Sequence, residues 1–179
     1  MTETAGHLFL TGEMGIGKST LLKKLMARTE GPVGGFFTVK SEQVFPGRSS
    51  LHLLSLKEPL IPSASNFLAF CGERKEETAK RFNRLGPAAL TAVKNPGLLV
   101  IDELGPHESE ALLFWEAVFH ALDGPVPVLG VLQKAASPFL EKVRSHPRVK
   151  VVEVTRENRD KMMDFLQDHE KVLMKSGSL

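Results

Sequence analysis

Apolar positions along this chain repeat in two ways. Short, almost unbroken apolar runs at 7–11, 98–101, 127–132 and 149–154 have the form of strands buried on both faces of a parallel sheet. Between them the spacing changes to that of helices. Residues 19–28 carry Leu21, Leu22, Leu25 and Met26 on one side and Lys23 and Lys24 on the other. Residues 110–122 align Leu112, Trp115, Phe119 and Leu122, residues 138–143 form a short helix, and 157–174 a closing one with Met163, Leu166, Glu170 and Leu173 in line.

The stretch between the first two buried strands reads differently. Segments 36–39 and 50–56 are strand-like and flank a turn with Pro46-Gly47, so they form a β-hairpin. The two prolines of 57–65 leave that segment without an element, 66–71 is a short strand, and 75–93 is a helix broken at Gly86-Pro87. Strands alternating with helices predict an α/β protein. Its three layers are a mostly parallel sheet with helices on both faces and an inserted hairpin.

Chemistry enters at the first turn. Gly12-Glu13-Met14-Gly15-Ile16-Gly17-Lys18-Ser19 fits G-x-x-x-x-G-K-[ST] at every fixed position, between a strand and a helix. By average composition the pattern arises in a chain this long on the order of one time in a hundred. Its glycines let backbone N–H groups turn inward around phosphate, and the helix amino end adds positive charge. Lys18 is expected on the β- and γ-phosphate oxygens and the Ser19 hydroxyl on Mg²⁺.

A second signal lies just past the 98–101 strand, where Asp102 and Glu103 stand at the carboxyl edge at which parallel sheets bind ligands. Asp102 is the expected Mg²⁺ partner, through water or through Ser19, and Glu103 suits the proton acceptor for an attacking water. The plainer alternative is that both acids open a loop and cap the next helix. The long interval between Lys18 and Asp102 leaves room for at least one further strand.

Composition narrows the classes. With 23 Lys+Arg against 21 Asp+Glu, the net charge of +2 implies neither a nucleic-acid track nor a membrane surface. Across 179 residues, 42% hydrophobic and 25% charged, the make-up is that of one globular domain, 1–179. No run reaches the ~20 apolar residues of a membrane span. No signal peptide, repeat or linker is evident. The single Cys71 fits a reducing compartment, so a soluble cytoplasmic protein is expected. The six histidines show no metal-ligand spacing, and no protein partner is indicated.

Four segments together resemble the cancer-related nucleoside-triphosphatase family of P-loop proteins. They are 9–21; Gly35-Phe36-Phe37-Thr38; Leu99-Val100-Ile101-Asp102-Glu103-Leu104-Gly105; and 153–160, with its Val154-Thr155-x-x-Asn158-Arg159-Asp160. Residues 128–131 and 138–140 match in order, so the likeness spans most of the chain and is weakest at 57–95. The resemblance implies a P-loop NTPase fold and slow Mg²⁺-dependent hydrolysis of ATP, GTP and other nucleoside triphosphates. It places Gly12, Glu13, Met14, Gly15, Ile16, Gly17, Lys18, Ser19 and Thr20 on phosphates and metal, with Asp102 and Glu103 as the acidic pair. Thr155 and Asn158 are expected near the base or ribose. The alternative makes Thr155 a helix cap.

Two departures stand out. Where the family continues Lys-Met-Glu after Asp-Glu-Ile-Gly, this chain has Pro106-His107-Glu108, and Val39-Lys40 replaces the family's acidic residue. A lysine lost beside the γ-phosphate would slow turnover more than binding. The rivals to hydrolysis are a kinase passing the phosphate to a small acceptor and a non-catalytic nucleotide switch. Arg48, Arg144, Arg148, Arg156, Arg159 and His107 remain further candidates for the pocket.

Overall fold

The structure is a computed structural model that describes residues 6–70 and 72–166. Strand β1 (His7–Thr11) leads through the glycine-rich loop into helix α1 (Lys18–Met26). Then come β2 (Val33–Ser41), β3 (Ser50–Ser55) and β4 (Phe67–Phe70), followed by helix α2 (Lys75–Thr91). The second half alternates as expected: β5 (Leu98–Leu104), α3 (Leu112–Asp123), β6 (Val128–Leu132), α4 (Pro138–Arg144) and β7 (Val149–Glu153). A final helix runs over 159–166; Glu170 and Leu173 of the expected stripe lie outside the described residues.

One seven-stranded sheet, in the order β4-β3-β2-β5-β6-β1-β7, joins all strands. Strands β2, β5, β6, β1 and β7 run parallel, while β3 and β4 extend the sheet antiparallel from β2. The predicted hairpin is present, with Phe36 opposite Ser55 and Ser41 opposite Ser50. In the sheet, β6 separates the strand feeding the phosphate loop from the strand bearing the acidic pair.

Burial on both faces explains the apolar runs of β1, β5 and β6. Strand β7, by contrast, lies at the sheet edge with none of its residues buried, so the expectation of a fully buried strand at 149–154 does not hold. Phe9, Leu99 and Ile101 join α2, α3 and α4 in one core layer. Their neighbours Leu8, Leu10, Leu98 and Val100 join α1, Met162 and Leu166 in the other. With a period of two, consecutive apolar residues serve opposite layers, and each layer needs helices to cover it.

Three helices differ from the pattern-based expectation. Helix α2 is not broken at Gly86-Pro87 but continues to Thr91. Proline removes one backbone donor, and the helix keeps its course because its buried face holds it between β2, β4 and α3. Helix α3 starts at Leu112 and buries Phe114, Val118 and Leu122, leaving Leu112 63% exposed. Trp115 and Phe119 lie on the flank of that face, against Phe139 (ring centroids 4.8 and 6.1 Å). In the last helix Met162 is buried and Met163 only partly so.

Candidate nucleotide-binding site

The phosphate loop, the acidic pair and the Thr155–Asn158 turn meet at one edge of the sheet. Three parallel strands end there, bringing Gly12 after β1, Gln133 after β6 and Thr155 after β7. Asp102 and Glu103 occupy the carboxyl half of β5, and Phe37 pairs with Asp102, which sets Thr38 beside Glu103. This edge is where parallel sheets gather ligands.

The phosphate loop is held by its own backbone. Gly12 has φ +140°, and a Cβ there would drive into the Val154 carbonyl, so no other residue fits. Gly15 (φ +77°) and Gly17 (φ +105°) face open space. Gly17 caps α1 without a side-chain acceptor, leaving the first-turn N–H groups available to an anion. Lys18 is nearly buried, and its Nζ donates to the carbonyl oxygens of Gly12 and Glu13, both at 2.8 Å. Those two bonds hold the ammonium over the loop.

A cavity of about 450 Å³ opens above this loop. Gly12, Glu13, Met14, Gly15, Gly17, Lys18, Ser19 and Thr20 form one wall. Thr38, Asp102, Glu103, Gln133 and Lys134 form the other. Asp102 is 3% exposed, and burial raises its carboxyl to about 6 despite the hydrogen bond from the Ser19 hydroxyl. A buried carboxylate bonded to a hydroxyl, both hard oxygen donors, fits Mg²⁺, which keeps several waters and takes few protein ligands.

Glu103 is the held carboxylate. Gln133 Nε2 donates to its Oε1, and its backbone N–H donates to the Thr38 hydroxyl at 3.2 Å. Gln133 is fixed in turn: its N–H donates to the Leu104 carbonyl (2.9 Å), and its own carbonyl accepts from Arg144 Nη2 (2.6 Å). Lys134 clasps the mouth, its Nζ 3.0 Å from Glu13 Oε1 and 2.6 Å from Glu153 Oε1. The lysine draws the Glu13 carboxyl below its usual range, while Glu153 and Glu13 raise the lysine.

On the far side of Lys134 a second cavity, about 760 Å³, is lined by Ile16, Val154, Thr155, Arg156 and Arg159 among others. Thr155 and Asn158 form a reciprocal cap. The Thr155 N–H donates to Asn158 Oδ1 (2.8 Å), the Asn158 N–H to the Thr155 hydroxyl (3.3 Å), and the Asn158 amide to the Glu153 carbonyl (2.8 Å).

The other candidates scatter. Arg148 lies at the opposite edge, donating to the Leu122, Asp123 and Gly124 carbonyls at the end of α3. Arg144 braces the Gln133 backbone, and Arg48 lies over the Phe70 ring at 3.4 Å from its centroid. His107 lines a further hollow beyond Glu103. Sequence reasoning missed Gln133 and Lys134 and gave Thr38 no role. Gln133 was open to the rule that marked Asp102: it is the first polar residue after a buried parallel strand.

Fold and loop together define a P-loop nucleotide-binding protein of the three-layer α/β type. The family model described as NTPase matches residues 7–166, and the chain belongs to that family. It is 31% identical to the cancer-related nucleoside-triphosphatase homolog of Bos taurus, covering 92% of this chain and 96% of that one. It is 26% identical to the nucleoside-triphosphatase THEP1 of Thermotoga petrophila, over 87% and 88% of the two chains. The crystal structure of THEP1 from Aquifex aeolicus superposes with a TM-score of 0.69 at 21% identity, over 89% and 96% of the two chains, and shows the fold.

Proposed function

We propose that this chain is a nucleoside-triphosphatase that releases the γ-phosphate of ATP, GTP and related nucleotides in a Mg²⁺-dependent reaction. The carrying observation is the Glu103 carboxylate, fixed by Gln133 and facing the same cavity as the Lys18 loop. Its relatives' names point to the same activity.

The phosphate chain lies along residues 12–20, its oxygens replacing the carbonyls of Gly12 and Glu13 as partners of Lys18. Ser19 and Asp102 would hold Mg²⁺, which when bound neutralises charge on the β- and γ-oxygens. Glu103 takes a proton from water as its oxygen attacks the γ-phosphorus. The bond from that phosphorus to the bridging oxygen breaks, and the nucleoside diphosphate leaves. The base or ribose occupies the cavity beyond Lys134, against Thr155, with Asn158 holding that turn. Pro106 offers no cation where the family places lysine, so turnover is slow.

The reading includes a single domain over 1–179 and a cytoplasmic location. Cys71 as the lone cysteine supports the latter, and among the described residues no helix is long and apolar enough to cross a membrane. The deciding experiment is phosphate release from Mg²⁺-ATP and Mg²⁺-GTP by wild type, Lys18→Ala and Glu103→Gln. Glu103→Gln should bind nucleotide normally and lose activity by on the order of a hundredfold or more. Full activity in that variant would defeat the mechanism. Tight binding without turnover in the wild type would establish a switch, and acceptor-dependent ADP formation a kinase.

A further inference from the structure

Beyond Glu103, on the side away from Thr155, lies a third hollow of about 420 Å³. Its floor comes from the antiparallel extension of the sheet and from α2: Leu51 of β3, Ala69 and Phe70 of β4, and Phe82. None of these has a part in the nucleotide reading. Met14, Thr38, Glu103 and Gln133 line both this hollow and the nucleotide cavity, so the two spaces share a wall.

Two cations, Lys40 on the rim and Arg48 beside it, stand against one ionised carboxylate, Glu103, at this hollow. Lys40 stands on the rim, solvent-exposed, and makes no ion pair among the described residues. Arg48, one residue from the lining Ser49, lies flat on the Phe70 ring. Glu108 also lines the space, yet burial pushes its carboxyl up to about 8 while it accepts the Gly105 N–H at 3.0 Å. It therefore holds its proton at neutral pH and adds no negative charge. The Glu103 carboxylate, bonded to Gln133, carries the negative charge on the shared wall.

We propose that this hollow is a second ligand site, taking a small organic anion with a flat apolar body. Its carboxylate or phosphate lies on Lys40 and its body over Leu51 and Phe70. The volume lies within the usual range of small-molecule sites, and an apolar floor with few convergent polar groups is their usual make-up. Because Glu103 and Gln133 stand on the shared wall, occupancy changes the space left for the attacking water and thus the rate of phosphate release. Only this last consequence rests on the hydrolase reading.

The test uses 2-naphthoate as probe, with binding to the full chain followed by saturation-transfer NMR without nucleotide. Wild type and Lys18→Ala should bind it alike, which places the site off the phosphate loop. Lys40→Glu should weaken binding about fivefold or more, Lys40→Arg should preserve it, and 2-naphthylmethylammonium should bind about fivefold more weakly than naphthoate. Saturating naphthoate should change the rate of phosphate release at least about twofold in wild type and not in Lys40→Glu. No binding, or binding indifferent to ligand charge and to Lys40→Glu, overturns the proposal even if ATP is hydrolysed normally. Charge-selective binding in a chain that releases no phosphate keeps the site and removes the hydrolase reading instead.

Discussion

Gly86→Ala sets two opposed effects against each other inside α2. An exposed helical glycine changed to alanine gains about 1 kcal/mol from propensity and from a less flexible unfolded chain. Gly86, however, is buried, and a Cβ there would come within 2.6 Å of Phe114 Cε2 and closer still to Cδ2. The ring has little freedom to yield: Phe36, Phe82 and Phe139 surround it at 5.9, 5.3 and 6.1 Å between centroids. The Phe114 N–H is also tied to Asn83 Oδ1 of α2 at 3.0 Å. Overpacking of this kind costs about 1–3 kcal/mol, and a contact this close belongs at the upper end. The net effect is therefore a loss of about 2 kcal/mol, which lowers the urea midpoint by about 1 M at a typical slope of ~2 kcal/mol/M. Phe114→Leu in the Gly86→Ala background should show favourable coupling of about 1 kcal/mol. An unchanged or raised midpoint for Gly86→Ala alone would refute the reasoning.

His7 predicts an acid-sensitive fold. Burial, with Arg148 and His146 nearby, lowers its pKa from 6.5 to about 4, although the Leu122 carbonyl it donates to acts the other way. The unfolded chain therefore binds the proton first as pH falls. Stability is full above about 6.5 and declines towards 4, with about 2 kcal/mol lost by pH 5; His7→Gln should flatten the urea midpoint between pH 7 and 5. Thr155→Ala/Asn158→Ala removes a reciprocal cap and should cost about 1 kcal/mol by thermal unfolding. The same double variant should lose base preference when ATP and GTP are compared; unchanged selectivity would restrict the pair to capping. Gly12→Ala should unfold the loop's seat and abolish ATP binding in a titration.

What could be read from the residues in order was what depends on neighbours in the chain. The strand–loop–helix around residues 12–19 needs glycines at fixed offsets. The buried strands need only runs of apolar side chains, so β1, β5 and β6 and the site on their carboxyl edge were visible at once. The Asp102–Glu103 pair followed from the same edge.

Tertiary packing decided what local pattern leaves open. Helix α3 carries apolar side chains around more than one face, and its crossing against α2 and Phe139 selected Phe114 over Leu112 for the interior. Packing against β2, β4 and α3 kept α2 intact through Pro87. Gln133 and Thr38 reach Glu103 only because β6 and β2 flank β5, an adjacency between strands distant in sequence. The hollow behind Glu103 likewise exists only where β3, β4 and α2 close on the turn after β5. The sequence determined the chemistry because a phosphate loop is a local object. Strand order determined which side chains would position it, because hydrogen bonds form between neighbours in space.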